Sequence, residues 1–174
     1  RRQRQMCIRH IGYSGRIIGI DPGYAICGYG IIDVVGSSLK PVTYGVITTE
    51  AKTPEASRLE IIFNELSDIL EEFRPQKFGI EKLYFARNVT TGIGVAQARG
   101  VTLLAASQQD LPIYEYTPLQ VKQSVVGYGK ATKEQVTYMT MNLLGIREKI
   151  KPDDAADALA IAICTAHSSH TDTL

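Results

Sequence analysis

Hydrophobic residues in the first third of the chain occur in short runs that are typical of β-strands. Apolar runs at 17–20, 26–35 and 42–48 are separated by Pro-Gly and by GSSLKP, which are turn compositions. The first run, IIGI, is apolar throughout, as expected for a central strand that is covered on both faces. The pattern therefore predicts three successive antiparallel strands.

The remaining sequence alternates between helical and strand-like patterns. Residues 56–73 repeat apolar side chains every three or four positions, which predicts a helix that ends before Pro75. We predict further strands at 78–85 and 113–116, and helices at about 90–108, 118–127, 132–144 and 153–167. Together these elements predict an α/β fold with a mixed five-stranded sheet, three antiparallel strands and then two parallel ones, flanked by helices. This is the layout of the ribonuclease H-like fold.

Length and composition indicate one globular domain. The chain has 174 residues, of which 44% are hydrophobic and 21% charged, enough for one well-buried core. Its longest apolar run, ALAIAICTA, has nine residues, fewer than the roughly 20 that cross a bilayer, so we expect a soluble protein without membrane association. Three widely spaced cysteines, Cys7, Cys27 and Cys164, predict neither a disulfide framework nor a zinc cluster and favour a reducing, cytoplasmic location.

Charge is distributed unevenly along the chain, although the formal net charge is only +1. Residues 1–16 carry +5, residues 17–81 carry −5, residues 82–151 carry +5 and residues 152–174 carry −4. A basic middle between two acidic segments is compatible with one cationic face that binds a polyanion. Scattered solvated charge explains the same numbers equally well.

The first 16 residues are rich in arginine, contain no acid and do not begin with Met. A vector remnant, a start upstream of Met6 or a basic organellar targeting segment would each give this composition. The last of these would change the expected location from the cytoplasm to an organelle. We predict a basic extension at 1–16, a single domain at 17–168 and a tail at 169–174.

Two carboxylates stand at the ends of predicted buried strands. Asp21 follows IIGI, and Glu81 follows FGI. Taken singly, Asp21 is explained as the first residue of a Pro-containing turn, and Glu81 as a solvent-facing side chain. A carboxylate at the end of a buried strand nevertheless needs a partner, so the two acids are candidates for one site.

A third group of acids opens the last predicted helix, in PDDAADALAIAICTA. Asp153 is well placed as the N-cap, and Asp154 would benefit from the helix dipole. Asp157 has no such explanation, because residues 155–166 are apolar on every side and predict a buried helix. Asp154 and Asp157 would also repel each other at positions i and i+3.

A divalent cation between these acids would remove both objections. If Asp21, Glu81, Asp154 and Asp157 meet, their all-oxygen set suits Mg²⁺ or Mn²⁺ rather than zinc. A pair of such ions would support an in-line phosphoryl displacement. The candidate site therefore joins two strand ends to the start of a helix that is distant in sequence.

Four motifs connect these residues with a known family. IGIDPGYAICGYGII, GIEKLYFARNVTTGIGVAQARG, YTPLQVKQSVVGYGKATKEQV and DDAADALAIAI occur in this order between about residues 17 and 166. The chain closely resembles the RuvC family of Holliday-junction resolvases. The resemblance implies a ribonuclease H-like homodimer, with the helix at about 90–108 in its interface. It also implies symmetric nicking of four-way DNA junctions with two Mg²⁺ per active site, for which Mn²⁺ can substitute, and a branch-migration helicase as a partner.

The same resemblance implies which residues act. The four acids of the family fall, motif by motif, on the candidate acids at 21, 81, 154 and 157. An aromatic residue that engages unstacked bases falls on Tyr84, and phosphate-binding lysines fall on Lys122 and Lys133, with Arg87 and Lys130 as weaker candidates. Base stacking on an aromatic ring contributes about 1–3 kcal/mol. The alternatives are a core position for the tyrosine and solvated surface positions for the lysines.

Other interpretations remain open. A Pro-Gly hairpin after an aspartate also occurs in actin-like ATPases and sugar kinases, although those folds need two such domains and a longer chain. A non-catalytic junction-binding protein would be expected to lack an acid, and a nuclease acting on RNA–DNA hybrids or flaps would share the metal cluster. Cys164, His167 and His170 have a C-x-x-H-x-x-H spacing, but no further ligand stands beside them, so they are weak candidates for a metal site.

Overall fold

The structure is a computed structural model that describes residues 13–83 and 89–168, with only the backbone described at 89–91. Within these residues the order of elements is β1 (Gly15–Asp21), β2 (Ile26–Val35), β3 (Ser38–Thr48), α1 (Glu55–Phe73), β4 (Lys77–Glu81), α2 (Val89–Gln108), β5 (Ile113–Tyr116), α3 (Pro118–Val126), α4 (Lys133–Leu144) and α5 (Asp153–His167). None of these helices is both long and apolar enough to cross a membrane.

The five strands form one mixed sheet in the order β3-β2-β1-β4-β5. β1 pairs with β2, and β2 with β3, in antiparallel fashion, whereas β1 pairs with β4, and β4 with β5, in parallel. The predicted sheet is therefore confirmed. Because Ile20 lies opposite Ile80 in the parallel pair, the residues that follow them, Asp21 and Glu81, arrive at the same edge of the sheet.

Helices cover both faces of the sheet. Side chains alternate between the faces along each strand, so Ile18 and Ile20 pack with α1 and α2, whereas Ile17 packs with α3, α4 and α5. Asp21 is four residues after Ile17 and therefore points to the α5 side. The predicted buried helix is confirmed, because every residue of α5 from position 155 to 166 is buried except Asp157.

Glycines in β1 and β2 allow α5 to lie close to the sheet. A Cβ atom on Gly28 would lie 2.2 Å from the backbone oxygen of Asp154, and one on Gly19 would lie 2.1 Å from that of Ala158. Such separations are far inside van der Waals contact, so a larger residue at either position would displace the helix. Since Gly28 is paired with Asp21 across the β1–β2 ladder, this contact brings the first turn of α5 beside the end of β1.

The first strand is longer than predicted at its beginning. β1 starts at Gly15 rather than at residue 17. Arg16, which the sequence pattern assigned to the basic extension, donates from Nε to Asp33 Oδ1 at 2.8 Å and from Nη1 to the carbonyl oxygen of Phe73 at 2.9 Å. Arg16 is therefore part of the fold, and its partners come from β2 and the end of α1.

Two further strand boundaries also differ from the prediction. β3 begins at Ser38 instead of residue 42, because a tight turn at 36–37 suffices to reverse the chain. Gly36 takes a φ of 60° there, a conformation that glycine adopts without steric cost. β4 ends at Glu81, so the predicted continuation of this strand is wrong at Lys82 and Leu83, which are described and lie outside it. Residues 84 and 85 lie outside the described residues.

Candidate active site

Asp21 and Glu81 lie side by side where β1 and β4 end. Both are partly buried, and both line a cleft with Pro22. Glu81 also lines an adjoining cleft together with Asp157 of α5. The structure thus brings the two strand-end acids together, as the sequence predicts, and places Glu81 beside a cleft that it shares with Asp157 of α5.

The first two turns of α5 carry the remaining acids, Asp153 and Asp154 in the first turn and Asp157 in the second. Its N-cap is Pro152, which makes no side-chain capping hydrogen bond, and Asp153 is the first helical residue. The prediction that Asp153 caps the helix is therefore wrong. The proline takes the cap position with φ −70° and ψ 172°, an extended conformation that suits its ring. Asp153 instead stays in the first turn, where the helix dipole favours an anion, and its side chain is 63% exposed.

Lys133 provides the cation next to Asp157. Its Nζ donates to Asp157 Oδ2 at 2.9 Å and lies 3.9 Å from Asp153 Oδ2. Lys133 begins α4, where Thr132 and Gln135 form a reciprocal capping box that fixes the start of the helix. The prediction that Asp157 lacks a solvated face is also wrong, because its side chain is 30% exposed where it borders the cleft.

The acids at this edge of the sheet shift one another's ionisation. Burial raises the pKa of Asp21 from 3.8 to about 7, and the negative charges of Asp157, Glu81 and Asp154 act in the same direction. Burial and the charge of Asp157 also raise the pKa of Glu81. The ammonium group of Lys133 opposes both shifts without cancelling them. The cluster therefore carries more negative charge than the protein neutralises.

A hard divalent cation fits this site by charge and by donor type. Carboxylate oxygens are the ligands that Mg²⁺ and Mn²⁺ prefer, and a divalent ion would neutralise the excess charge that raises the pKa of Asp21. Among the described residues, no three His, Cys, Asp or Glu side chains converge closely enough to share one ion. The residues that would hold a metal are Asp21, Glu81, Asp154 and Asp157.

The raised pKa of Asp21 predicts that the metal-free protein loses stability as the pH rises. In the unfolded chain this carboxyl ionises near 3.8, and in the folded protein near 7. Its contribution is therefore fully present below pH 3.8 and is lost by about pH 7, a change of roughly 4 kcal/mol in the free energy of unfolding. Glu81 shifts in the same direction.

This pH dependence is measured by urea unfolding in chelator at several pH values between 4 and 8. Asp21→Asn should flatten the slope between pH 4 and 7, because the amide does not ionise. Adding Mg²⁺ at pH 7.5 should restore stability to the wild-type protein. Equal slopes for the wild-type protein and Asp21→Asn would show that Asp21 ionises normally in the folded state.

The predicted DNA-binding residues lie at different distances from the acids. Lys122, in α3, lines the same cleft as Glu81, Lys133 and Asp157. Lys130 is exposed in the turn between α3 and α4, and no contact places it in the cleft. Tyr84 and Arg87 lie outside the described residues, so their proposed roles stay predictions.

The C-x-x-H spacing near the end of α5 forms no metal cluster within the described residues. Cys164 is buried and donates from Sγ to the carbonyl oxygen of Gln120 at 3.8 Å. The Nδ1 atom of His167 lies 3.2 Å from the side-chain oxygen of Ser124. These contacts join α5 to α3. His170 lies outside the described residues.

Sequence analysis missed two residues that shape the site. Gly28 lets α5 approach the sheet, and the alternation of glycine with larger residues in ICGYG is the signal that identifies it. Arg99 donates from Nε to the carbonyl oxygen of Glu81 at 3.3 Å. No sequence pattern separates Arg99 from a solvated basic residue, because its partner precedes it by 18 residues and belongs to another element.

Comparison with known proteins identifies the family to which the chain belongs. Residues 17–165 match the sequence profile of the family described as "Crossover junction endodeoxyribonuclease RuvC". A protein of that name from Heliobacterium modesticaldum is 56% identical over 152 residues, which cover 87% of this chain and 94% of the relative.

Solved structures show the same fold. The Thermus thermophilus RuvC in complex with a Holliday junction substrate superposes with a TM-score of 0.87 at 34% identity, covering 92% of this chain and 99% of that one. The yeast mitochondrial Holliday junction resolvase Ydc2 superposes with a TM-score of 0.66 at 16% identity, covering 88% and 78% of the two chains. At 16% identity, the similarity to Ydc2 shows a shared fold and nothing more.

Proposed function

The chain belongs to the RuvC family of crossover junction endodeoxyribonucleases, and from this premise we propose that it resolves four-way DNA junctions by symmetric hydrolysis of two strands. It is a Holliday-junction-resolving endonuclease, and the family is metal-dependent. The observation that carries the proposal is the acid cluster, in which burial and, after it, the charges of three neighbouring carboxylates raise the pKa of Asp21 to about 7. Such a cluster lowers the stability of the fold, and clusters of this kind are typical of functional sites, here the cation site of a metal-dependent nuclease.

We propose that Asp21, Glu81, Asp154 and Asp157 hold a pair of Mg²⁺ ions. When bound, these ions would lower the pKa of the attacking water and stabilise the departing 3′ oxygen. Two of the acids lie at adjacent strand ends and two on a buried helix, so regular secondary structure carries all four. Direct attack by water without a covalent intermediate would leave 5′-phosphate and 3′-hydroxyl ends.

The proposed path of the DNA follows the basic residues beside the cleft. Lys122 and Lys133 line the cleft that contains Glu81 and Asp157, and we propose that their ammonium groups bind phosphate oxygens of the strand that is cut. Lys130, in the turn before α4, extends the positive charge outward. We propose that Tyr84 and Arg87, in the segment after β4, contact the unpaired bases and backbone near the junction centre.

The test is a denaturing-gel assay on a labelled synthetic four-way junction and on a linear duplex of the same sequence. With Mg²⁺ we expect paired nicks in two strands of the junction and an intact duplex, and with chelator no cutting of either DNA. Ligation of the nicked products would verify the 5′-phosphate and 3′-hydroxyl ends. Equal cutting of junction and duplex would contradict the proposed substrate and favour a less selective metal-dependent nuclease.

Symmetric nicking requires two active sites, and we propose that α2 forms the interface of a homodimer. Ile93 and Leu104 on this helix are each 52% exposed. They are eleven residues apart, which is close to three full turns, so they lie on one face of the helix. Gly100 is exposed on the same helix and would permit close approach by a partner.

Leu104→Glu is expected to convert the dimer to a monomer, because a buried charge without a partner opposes association. Sedimentation velocity measures the change in mass, and the junction assay should show single nicks in place of paired ones. Leu143→Glu, at an exposed leucine of α4, is the matched control and should remain dimeric. A dimeric Leu104→Glu variant would place the interface elsewhere.

A further inference from the structure

Two arginines of the described chain make the same kind of contact at opposite ends of the sheet. Arg16, at the start of β1, joins the carboxylate of Asp33 to the carbonyl oxygen of Phe73. Arg99, in α2, joins the carboxylate of Glu115 to the carbonyl oxygen of Glu81. The two contacts differ in what they hold, because only Arg99 is attached to the backbone of a proposed metal ligand.

The Arg99 contact is well shielded from solvent. The side chains of Arg99 and Glu115 are each 15% exposed, against 33% and 35% for Arg16 and Asp33. Glu115 lies in β5 opposite Ile80, the residue immediately before Glu81. The arginine therefore connects three elements, α2, β4 and β5, at the point where β4 ends.

The geometry indicates how Arg99 acts on the carboxylate of Glu81. Ile80 packs with α1 and α2, so Glu81, the next residue of β4, turns its side chain to the opposite face, toward α5. Arg99 approaches from the α2 side and donates to the carbonyl oxygen of Glu81. It therefore acts through the backbone, by fixing the peptide plane that follows Glu81.

We infer that Arg99 is a positioning residue that holds the Glu81 carboxylate in the orientation needed for metal binding. The inference rests on the proposed function, in which Glu81 is a metal ligand. Glu81 is the last residue of its strand, and a strand end without a fixed carbonyl has more freedom to rotate. Glu115 anchors the guanidinium, so it acts on Glu81 only through Arg99.

Arginine suits this position because its planar fork presents several donors in fixed directions. Nη2 donates to the carboxylate of Glu115 while Nε donates to the carbonyl oxygen of Glu81. A lysine would keep the positive charge but could not hold both oxygens in the same arrangement. Arg99→Lys therefore separates the effect of charge from the effect of geometry.

The experiment compares the divalent-cation affinities of Arg99→Met, Arg99→Lys and the wild-type protein by calorimetric titration of Mg²⁺ and Mn²⁺ without DNA. We expect both variants to bind the cation about 10- to 100-fold more weakly, the loss typical when a residue that orients a metal ligand is removed. In steady-state cleavage at limiting Mg²⁺, kcat should fall while KM for the junction stays within about twofold, because Arg99 makes no proposed contact with DNA.

Arg16→Met is the matched control. It removes an arginine that has the same two kinds of partner, but at the end of β1 that is remote from Asp21. We expect lower thermal stability and unchanged cation affinity. If Arg16→Met weakens cation binding as much as Arg99→Met does, or if Arg99→Met binds the cation like the wild-type protein, Arg99 has no positioning role.

Glu115→Gln is a milder variant that keeps the shape of the network if Arg99→Met fails to fold. A smaller loss of cation affinity in the same direction is expected, and no loss would overturn the inference. Cutting of linear duplex by the wild-type protein would refute the proposed substrate but leave the comparison of cation affinities intact. A wild-type protein that binds no divalent cation would refute the metal site and the role of Arg99 together.

Discussion

Replacing Asp157 with asparagine is expected to lower the rate of junction cleavage by about 10²- to 10³-fold, the loss typical when one preorganised electrostatic contribution to the transition state is removed from an active site. Asparagine keeps the size of the side chain but removes its negative charge. In the proposed metal site, that charge helps to bind the cation. The same change should stabilise the metal-free protein, because Asp157 is the foremost of the charges that raise the pKa of Asp21.

Single-turnover cleavage and urea unfolding in chelator measure these two effects on one variant. Asp153→Asn is the control, since Asp153 also belongs to α5 and lies 3.9 Å from Lys133 but does not contribute to the pKa shift of Asp21. It should cleave within about threefold of wild type. An Asp157→Asn variant that cleaves normally would remove Asp157 from the metal site, and an equal loss in Asp153→Asn would indicate that Lys133 is the group affected.

Gly28→Ala is the second change with a large expected effect, because the added methyl group would meet the backbone of α5. The new Cβ would lie 2.2 Å from the carbonyl oxygen of Asp154, and backbone cannot rotate away. We expect a loss of about 1–3 kcal/mol in the free energy of unfolding. We also expect roughly a 100-fold loss of cleavage, since about 1 Å of misplacement has that effect on a catalytic geometry.

Gly129→Ala provides the control for Gly28→Ala. A Cβ there would also lie 2.2 Å from its nearest neighbour, but that neighbour is Cδ1 of Leu119, the tip of a half-exposed side chain. The leucine can change rotamer, so stability and cleavage should remain close to wild type. If chemical denaturation and cleavage give similar losses for both variants, displacement of α5 is not the cause.

The sheet could be predicted from the sequence because its strands are separated by strong turn signals and its hydrophobic periods are unambiguous. The acids Asp21 and Glu81 could be predicted as neighbours because parallel strands bring their carboxyl ends to one edge. The buried helix α5 was evident from apolar residues on every side. These features depend on local sequence patterns, which can be recognised in a single sequence.

Contacts between elements were not predictable in the same way. Lys133 meets Asp157 only because α4 packs against α5, and the sequence gives no register for two helices. Arg99 reaches Glu81 across the end of the sheet. The N-cap of α5 falls on Pro152 instead of Asp153, since two neighbouring residues compete for one cap and sequence preference alone favours the aspartate.

The order in which the acids occur along the chain has a consequence for the cell. Asp21 and Glu81 emerge early during translation, whereas Asp154 and Asp157 belong to α5, which follows every other element described in the structure. Until α5 docks, one face of the sheet lacks its principal covering helix and the acid set is incomplete. A nascent or prematurely terminated chain that lacks α5 would therefore expose the apolar surface that chaperones and proteases recognise, and it would lack two of the four acids.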